Sequence, residues 1–360
     1  MKVFTRGFFH INLGDDLFLY ILAKRYKHHT FHIIVNQEYN NLFEDLDNVV
    51  VHPYKKYRRG LDKYLKNIGQ DYYSTVEKSC DLNVVIGGSL FQERENDFNA
   101  FERLKKMPKM NPTYILGANF GPFKTEEYRL IAKGYFDASK DVCFRDEWSS
   151  SLFSDLLNVR YAPDIVLGID EILPETVVKK KKIFISIIDC YSKGGVTNEI
   201  ANSYDDFIVQ SIEFYEKEGY EIVLSSFCKM EGDEFAIERI LNKLNNHIRN
   251  KISILNYYGS NWKEVVLSIK ESEKVIASRF HSMILGIVFG VDILPISYSS
   301  KFNQFLENFR LEDYCIPLSE LINKKPEESV YLTLKNAEKL KKESINHFEK
   351  LDEILKKDTI

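Results

Sequence analysis

The sequence has little of what would set it apart from ordinary globular proteins. Its five cysteines are an odd number, scattered without the spacing of a metal site, which argues against a disulfide framework and fits a reducing cytoplasm. No apolar run approaches the roughly 18 residues of a membrane span, and the N-terminus becomes polar too soon for a signal peptide. The formal net charge of -4 gives no sign of a nucleic-acid surface. We therefore expect a soluble protein that does not bind nucleic acid.

What the sequence does have is regular alternation. Its 360 residues, 44% of them hydrophobic, suffice for two domain cores. Short β-rich runs alternate with amphipathic stretches, a pattern typical of parallel strands joined by crossover helices. The predicted strands are residues 31–35, 49–52, 83–86, 113–116, 141–144, 159–161, 183–188, 221–224, 252–255, 274–277 and 293–296. The predicted helices are residues 15–26, 97–106, 126–139, 148–157, 204–217, 233–245, 262–269, 280–289 and 302–308.

The alternation breaks at residues 170–182, where Pro174 and a lysine run interrupt it, so we place an interdomain linker there. This predicts an α/β protein of two Rossmann-like domains, residues 1–172 and 173–325. A C-terminal helical tail, residues 326–360, packs on the body. Two such domains are expected to face a cleft lined by the loops that follow the strands.

Glycine-rich and polar loops mark several of these positions. Asn12-Leu13-Gly14-Asp15 precedes the first predicted helix, where Asp15 fits equally well as a helix N-cap and as a ligand contact. Gly87-Gly88-Ser89 lacks the third glycine of a dinucleotide fingerprint and the ending of a P-loop, so neither NAD nor ATP is implied. Residues 117–123 predict a tight turn, which either faces a ligand or serves the fold alone.

Basic side chains stand at two further strand ends. Arg145 follows the strand at 141–144 with no evident local partner, so it suits a phosphate or carboxylate; the alternative is a surface pair with Asp146 or Glu147. In residues 278–282 a strand runs into an apolar helix whose N–H groups favour anions. Arg279 and His281 stand there to bind and protonate a ligand. The alternative for His281 is a helix-start histidine bonded to a nearby carbonyl.

Two further residues keep two interpretations each. Lys301, at the next strand end, is either a third phosphate contact or a solvated lysine. His10 either lines the cleft or serves the structure. The other histidines form no spaced set with carboxylates, so we expect no required metal.

Taken in order, these segments resemble the polysaccharide pyruvyl transferase family, over about residues 7–309. The implied fold is a two-domain fold like that of the GT-B glycosyltransferases, with the acceptor on the first domain and phosphoenolpyruvate on the second. The implied reaction transfers a pyruvyl group from phosphoenolpyruvate to a sugar of a cell-surface polysaccharide, commonly as a ketal, without any other cofactor. The resemblance rests on Asn12-Leu13-Gly14-Asp15, Gly87-Gly88-Ser89-Leu90-Phe91, Gly117-Ala118-Asn119-Phe120-Gly121-Pro122, Arg145-Asp146 with Ser149, Pro163-Asp164 and Ser278-Arg279-Phe280-His281-Ser282.

The resemblance also implies roles for individual residues. The family's arginine and histidine map onto Arg279 and His281, which are the implied catalytic residues, and ketal formation needs an acid such as histidine. Phosphoenolpyruvate carries a phosphate and a carboxylate, and Arg145 and Arg279 would meet them from the two sides of the cleft. The implied substrate-binding residues are Asn12, Asp15, Gly87, Gly88, Ser89, Asn119, Phe120, Arg145, Ser278, Ser282 and Lys301.

Two alternatives belong to other functional classes. One is a GT-B glycosyltransferase with a nucleotide-sugar donor, although the second domain lacks a clear glycine-rich nucleotide loop. The other is a catalytically silent glycan-binding protein of the same fold. If the acceptor is lipid-linked, the basic and aromatic run at residues 54–59 is expected to touch the inner face of the membrane.

Overall fold

The computed structural model describes residues 1–65, 70–93, 104, 107, 110–298, 300–307, 311–334 and 337–356. The chain divides into two units, each with its own parallel sheet. The first unit comprises Met1–His10, Asp15–Ile172 and Leu340–Ile360, and the second comprises Ile11–Gly14 and Leu173–Lys339. The first unit is therefore built from both ends of the chain.

The first unit contains a seven-stranded parallel sheet with the order β3-β2-β1-β4-β5-β6-β7. The order reverses between β1 and β4, and ligands of open parallel sheets bind outside the carboxyl ends of the strands at such a reversal. The strands are β1 Lys2–Arg6, β2 Thr30–Asn36, β3 Val49–Tyr54, β4 Leu82–Ile86, β5 Thr113–Ala118, β6 Asp141–Phe144 and β7 Val159–Tyr161. The helices are α1 Leu13–Arg25, α2 Arg58–Leu65, α3 Tyr72–Lys78, α4 Glu126–Asp137 and α5 Glu147–Ser151.

Local sequence explains these elements. Every residue of the central strands β4 and β5 is buried, as expected for parallel strands covered on both faces. Helix α1 has acidic residues in its first turn and basic residues in its last, which matches the helix dipole. Thr125 caps α4 by accepting a hydrogen bond from the N–H of Tyr128 at 3.2 Å. Strand composition and helix caps therefore agree with the fold.

The second unit contains a six-stranded parallel sheet with the order β10-β9-β8-β11-β12-β13, which reverses between β8 and β11. Helix α10 contributes seven buried residues to this unit's core. The strands are β8 Lys180–Ile187, β9 Glu221–Ser226, β10 Ser253–Ile254, β11 Ser272–Ala277, β12 Asp292–Ser297 and β13 Ile316–Pro317. The helices are α6 Asn198–Lys217, α7 Asp233–Lys243, α8 Asn246–Arg249, α9 Trp262–Glu271, α10 Phe280–Val288 and α11 Ser300–Glu307.

The chain ends in two helices, α12 Ala337–Ser344 and α13 Glu349–Leu355. From Leu340 onward this segment belongs to the first unit. The buried guanidinium of Arg25 pairs with Asp352 at 2.6 Å, and the hydroxyl of Tyr26 donates to the same carboxylate at 2.7 Å. The segment thus supplies a carboxylate to two residues at the end of α1.

The predicted α/β architecture of two parallel sheets with a C-terminal helical segment is confirmed, and several boundaries differ. The linker was predicted to extend through Lys182, whereas β8 begins at Lys180. The helix predicted at 148–157 ends at Ser151. The pattern missed β1, β13, α2, α3 and α8. Of the predicted helix at residues 97–106, only Leu104 is among the described residues.

Two findings concern the expected absence of disulfides and of membrane spans. All five cysteines are buried free thiols. In the part of the chain that the structure describes, no helix has both the length and the apolar character needed to cross a membrane.

Candidate active site

The residues predicted to form a site follow strands close to the reversal of each sheet. In the second unit, residues 278–282 follow β11, which is the neighbour of β8. In the first unit, residues 87–89 follow β4, the neighbour of β1, while Asn119 and Arg145 follow β5 and β6. Each unit thus presents its own cluster of predicted residues.

A buried network of hydroxyl groups holds the turn between β11 and α10. Ser186 on β8 accepts hydrogen bonds from the backbone N–H groups of Ser278 at 3.0 Å and Arg279 at 3.1 Å. The hydroxyl oxygens of Ser186 and Ser282 are 2.6 Å apart, and Tyr204 donates to Ser278 Oγ at 3.0 Å. All four hydroxyl-bearing side chains are buried. Ser278 and Ser282 therefore point into the fold and shape the turn.

Arg279 is the N-cap residue of α10, and its buried guanidinium lies between carboxylates. Nη1 donates to Glu231 at 2.8 Å and Nη2 donates to Asp233. Lys193 pairs with the same Glu231 carboxylate. The Asp233 side chain has no exposed surface, whereas 36% of the Glu231 side chain is exposed. The four charges cancel, so Arg279 is not a bare cation.

The pKa values of the two carboxylates move in opposite directions. Burial raises the pKa of Asp233, although Arg279 opposes the shift. Burial would also raise that of Glu231, but Arg279 and Lys193 outweigh it and lower the pKa to about 2. Glu231 is therefore an ionised carboxylate held between two cations, a position that suits any anionic group.

His281 is the second residue of α10, and its ring lies against the start of α1. A β-carbon on Gly14, the second residue of α1, would overlap the imidazole. Asn12 pairs with Cys228 in an isolated β-bridge, which fixes the entry to α1 within the second unit. The imidazole therefore lies next to the backbone of Gly14 and at the N-terminus of α10, whose N–H groups and dipole favour a bound anion.

Arg145 lies at the centre of the first-unit cluster. Nη1 pairs with the buried Asp164 at 2.8 Å, and Nη2 donates to Asn119 Oδ1 at 2.8 Å. Ser89 donates to the same Asn119 oxygen at 3.3 Å. Arg145 thus has a buried partner that the local sequence did not indicate, because Asp164 comes from a loop that is distant in sequence. The carboxylate of Asp146, its alternative partner, caps α5 by accepting from the N–H of Ser149 at 2.7 Å.

Two glycines make room for this cluster. A β-carbon on Gly88 would lie 2.6 Å from the guanidinium of Arg145. Gly87 has φ +138, a backbone conformation that favours glycine. The backbone N–H of Asn119 donates to the carbonyl of Gly88 at 2.8 Å. The two loops that follow β4 and β5 are therefore tied together.

The structure places two other predicted residues inside secondary structure or the core, and it does not describe the side chain of a third. Asp15 is the third residue of α1, so it is not the N-cap. The ring of Phe120 packs in the core. The backbone N–H of Phe120 donates to Ser149 Oγ at 2.8 Å. Lys301 lies in α11, and its side chain falls outside the described part of the structure.

Several residues that complete the two clusters were absent from the predicted site: Ser186, Lys193, Tyr204, Glu231, Asp233 and Asp164. Pro163-Asp164 contributed to the family resemblance, but no role in the site was predicted for Asp164. The one local indication of a role for Ser186 was its position as a polar residue near the end of the apolar strand β8. Among the described residues, no group of three or more His, Cys, Asp or Glu side chains is arranged to hold a metal ion.

Comparison with known families identifies the chain. A sequence model of the polysaccharide pyruvyl transferase family matches residues 12–300. This match covers most of the 360 residues and both clusters. The chain therefore belongs to the polysaccharide pyruvyl transferase family, a family of transferases.

Solved structures share the fold. UDP-GlcNAc 2-epimerase from Methanocaldococcus jannaschii is similar with a TM-score of 0.56 and 15% identity, over 95% of this chain and 97% of that one. Anabaena Alr3699/HepE, solved with UDP and glucose, is similar with a TM-score of 0.54 and 10% identity, over 98% of each chain. At these identities the likeness shows the GT-B-like fold alone. No curated protein matches this sequence.

Proposed function

We propose that this member of the polysaccharide pyruvyl transferase family transfers the pyruvyl group of phosphoenolpyruvate to two hydroxyls of a sugar in a cell-surface polysaccharide or its precursor. The products are a pyruvate ketal and inorganic phosphate. The observation that carries the proposal is the position of His281, an imidazole at the start of α10 that also contacts Gly14 at the start of α1. A proton donor would thus stand at the N-terminus of α10, where N–H groups and the helix dipole favour an anionic group of the substrate.

The donor would bind on the second unit. The partly exposed carboxylate of Glu231 pairs with both Arg279 and Lys193, and it occupies the position that an anionic group of the donor would take. We propose that the phosphate of phosphoenolpyruvate displaces this carboxylate from the two cations. The fully buried Asp233 would stay bonded to Arg279 and keep the guanidinium in place. Arg279 would then bind the phosphate through Nη1, while Nη2 stays bonded to Asp233.

The chemistry assigns His281 two proton transfers. Imidazolium first protonates the methylene carbon of phosphoenolpyruvate, which leaves a cation at the central carbon. A sugar hydroxyl attacks that carbon and returns its proton to the imidazole. The C–O bond to phosphate then breaks, and the second hydroxyl closes the ketal while its proton leaves with phosphate. One donor and one diol thus give one ketal and one phosphate.

The test is phosphate release from phosphoenolpyruvate in the presence of cell-surface glycans. We expect acceptor-dependent release by the native chain and a loss of about 100- to 10,000-fold in His281→Ala. His247→Ala is the matched control, because His247 is exposed on a short helix. Arg279→Lys is preferred to alanine, since removing the whole side chain would leave Asp233 buried without a cation. Turnover of nucleotide sugars without phosphate release from the donor would move the chain to the glycosyltransferases.

We also propose that the protein works at the inner face of a membrane through α2. Three large side chains of α2 and of the residue just before it are exposed: Tyr57 by 74%, Leu61 by 53% and Tyr64 by 79%. Their spacing puts them on one helix face, and Lys55, Lys56, Arg59 and Lys63 are exposed around them. Aromatic and aliphatic groups ringed by cations fit the interface of an anionic bilayer, where a lipid-linked acceptor would lie.

A further inference from the structure

The residues that follow β1 form an aromatic stack that the proposed mechanism does not use. The rings of Phe8 and His10 have centroids 4.4 Å apart and an interplanar angle of 27°. Tyr39, in the 3-10 helix that follows β2, meets His10 edge-on at 5.5 Å. Phe8 remains 39% exposed although His10 covers one of its faces. Exposed aromatic surface of Phe8 is therefore presented beyond the carboxyl end of β1.

This aromatic stack, Phe8, His10 and Tyr39, adjoins the polar cluster of the first unit. Strands β1 and β4 are paired neighbours at the reversal of the sheet. A β-carbon on Gly7 would lie 2.7 Å from the carbonyl oxygen of Ile86, the last residue of β4. The chain entering the stack thus packs against the start of the loop that carries Ser89, whose hydroxyl bonds to Asn119. An aromatic face and a hydroxyl–amide pair share one sheet edge.

We infer that this edge is the acceptor subsite, which takes a hexopyranose whose apolar face stacks on Phe8 and whose hydroxyls bond to Ser89 and Asn119. A pyranose ring combines C–H faces with a polar rim, and an aromatic ring beside a few fixed polar groups complements both. The reversal of strand order is also where parallel sheets bind ligands. The inference rests on the proposed function only for the chemical fate of the bound sugar.

Two further observations fit a built platform. Burial lowers the pKa of His10, although Glu38 opposes the shift, so the ring beneath Phe8 is neutral at pH 7. The next residue, Ile11, has φ +54, a conformation that is rare for a β-branched side chain. Backbone strain of this kind clusters at functional loops.

The test measures sugar binding without any donor. Saturation-transfer NMR with methyl glucopyranoside, galactopyranoside and mannopyranoside compares the native chain with Phe8→Ala and Phe8→Trp. We expect at least one glycoside to bind, Phe8→Ala to weaken it about tenfold, and Phe8→Trp to retain it. Phe235→Ala is the control, because Phe235 is 71% exposed on α7 and should leave binding unchanged.

The outcomes separate this inference from the proposed reaction. Binding that Phe8→Ala leaves intact overturns the subsite, and so does failure of all three glycosides to bind the native chain. Binding that depends on Phe8 supports the subsite even if phosphoenolpyruvate is not consumed, in which case the proposed function alone fails. If phosphate is released, Phe8→Ala should raise the acceptor KM about tenfold, while kcat and the KM for phosphoenolpyruvate stay within about twofold.

Discussion

Gly14 is the residue on which the position of His281 depends. Because a β-carbon there would overlap the imidazole, any other residue forces the ring out of place. We expect Gly14→Ala to lower kcat for acceptor-dependent phosphate release by about 100-fold, since small displacements of a catalytic group cost that much. Steady-state kinetics with phosphoenolpyruvate measure the effect.

The control for this substitution is Gly134→Ala in α4. No atom lies within 4 Å of a β-carbon at Gly134, and alanine favours the helix. Gly134→Ala should therefore leave kcat unchanged and keep or slightly raise the unfolding temperature. If Gly14→Ala were as active as the control, His281 would not be the proton donor at this contact.

At the same scale, the sequence could locate side chains of the candidate site but not their partners. Arg279 and His281 were predictable because a strand passes directly into an apolar helix there. Glu231 and Asp233 were not, because they precede and open a different helix, and nothing local links them to Arg279. A basic residue at a strand end can equally be a ligand contact or half of a buried ion pair.

The junction of β11 and α10 depends on a third element, β8. Ser186 accepts two backbone N–H groups of that junction, at Ser278 and Arg279. We expect Ser186→Ala to leave both donors buried without an acceptor and to lower the free energy of unfolding by about 1 to 3 kcal/mol. Urea denaturation measures this change. Ser203→Ala, which removes an exposed hydroxyl from α6, should change it by less than about 0.5 kcal/mol, and equal losses would argue against the network.

The proposed membrane contact of helix α2 can be tested by charge reversal. Lys55→Glu, Lys56→Glu and Arg59→Glu together replace the cations around its exposed face with anions. We expect the native chain to float with vesicles of phosphatidylcholine and phosphatidylglycerol and the triple variant to stay behind, because each basic residue near an anionic surface contributes about 1 kcal/mol. Reversing the exposed Lys217, Lys263 and Lys324 is the control. Equal flotation of both variants would contradict the proposed membrane contact.

The elements that the sequence predicted well are those whose burial shows locally. Strands β4, β5, β6 and β8 are apolar runs, because helices cover both faces of a parallel sheet. Strand β1 begins and ends with charged residues, and β13 has two residues, so neither stood out. Their place in a sheet comes from pairing with distant strands, which a local pattern does not encode.

At the scale of the whole molecule, the chain crosses from one unit to the other more than once. The change at Leu173 coincides with a local signal, Pro174 and the lysine run. The return of Leu340–Ile360 to the first unit has no such signal. It depends on contacts across the length of the chain, such as those of Arg25 and Tyr26 with Asp352.

A buried histidine makes the packing of this C-terminal segment on the first unit sensitive to pH. His347, between α12 and α13, is fully buried and donates from Nε2 to the carbonyl of Pro163 at 2.9 Å. Burial and the nearby guanidinium of Arg160 lower its pKa to about 3. Above pH 6.5 the side chain is neutral in both folded and unfolded chains. Between about pH 6.5 and 3 only the unfolded chain takes up the proton, so stability falls as the pH falls.

The pH dependence of stability follows from that difference in protonation. The free energy of unfolding should fall by an extra amount of at most about 5 kcal/mol between pH 6.5 and 3, over the loss due to carboxylates. His347→Gln keeps an N–H donor for Pro163 without titrating, so its stability should fall less steeply. Urea denaturation across this range compares it with the native chain and with His247→Gln, whose histidine is exposed. Identical slopes for all three chains would show that the docking of the C-terminal segment does not depend on a neutral His347.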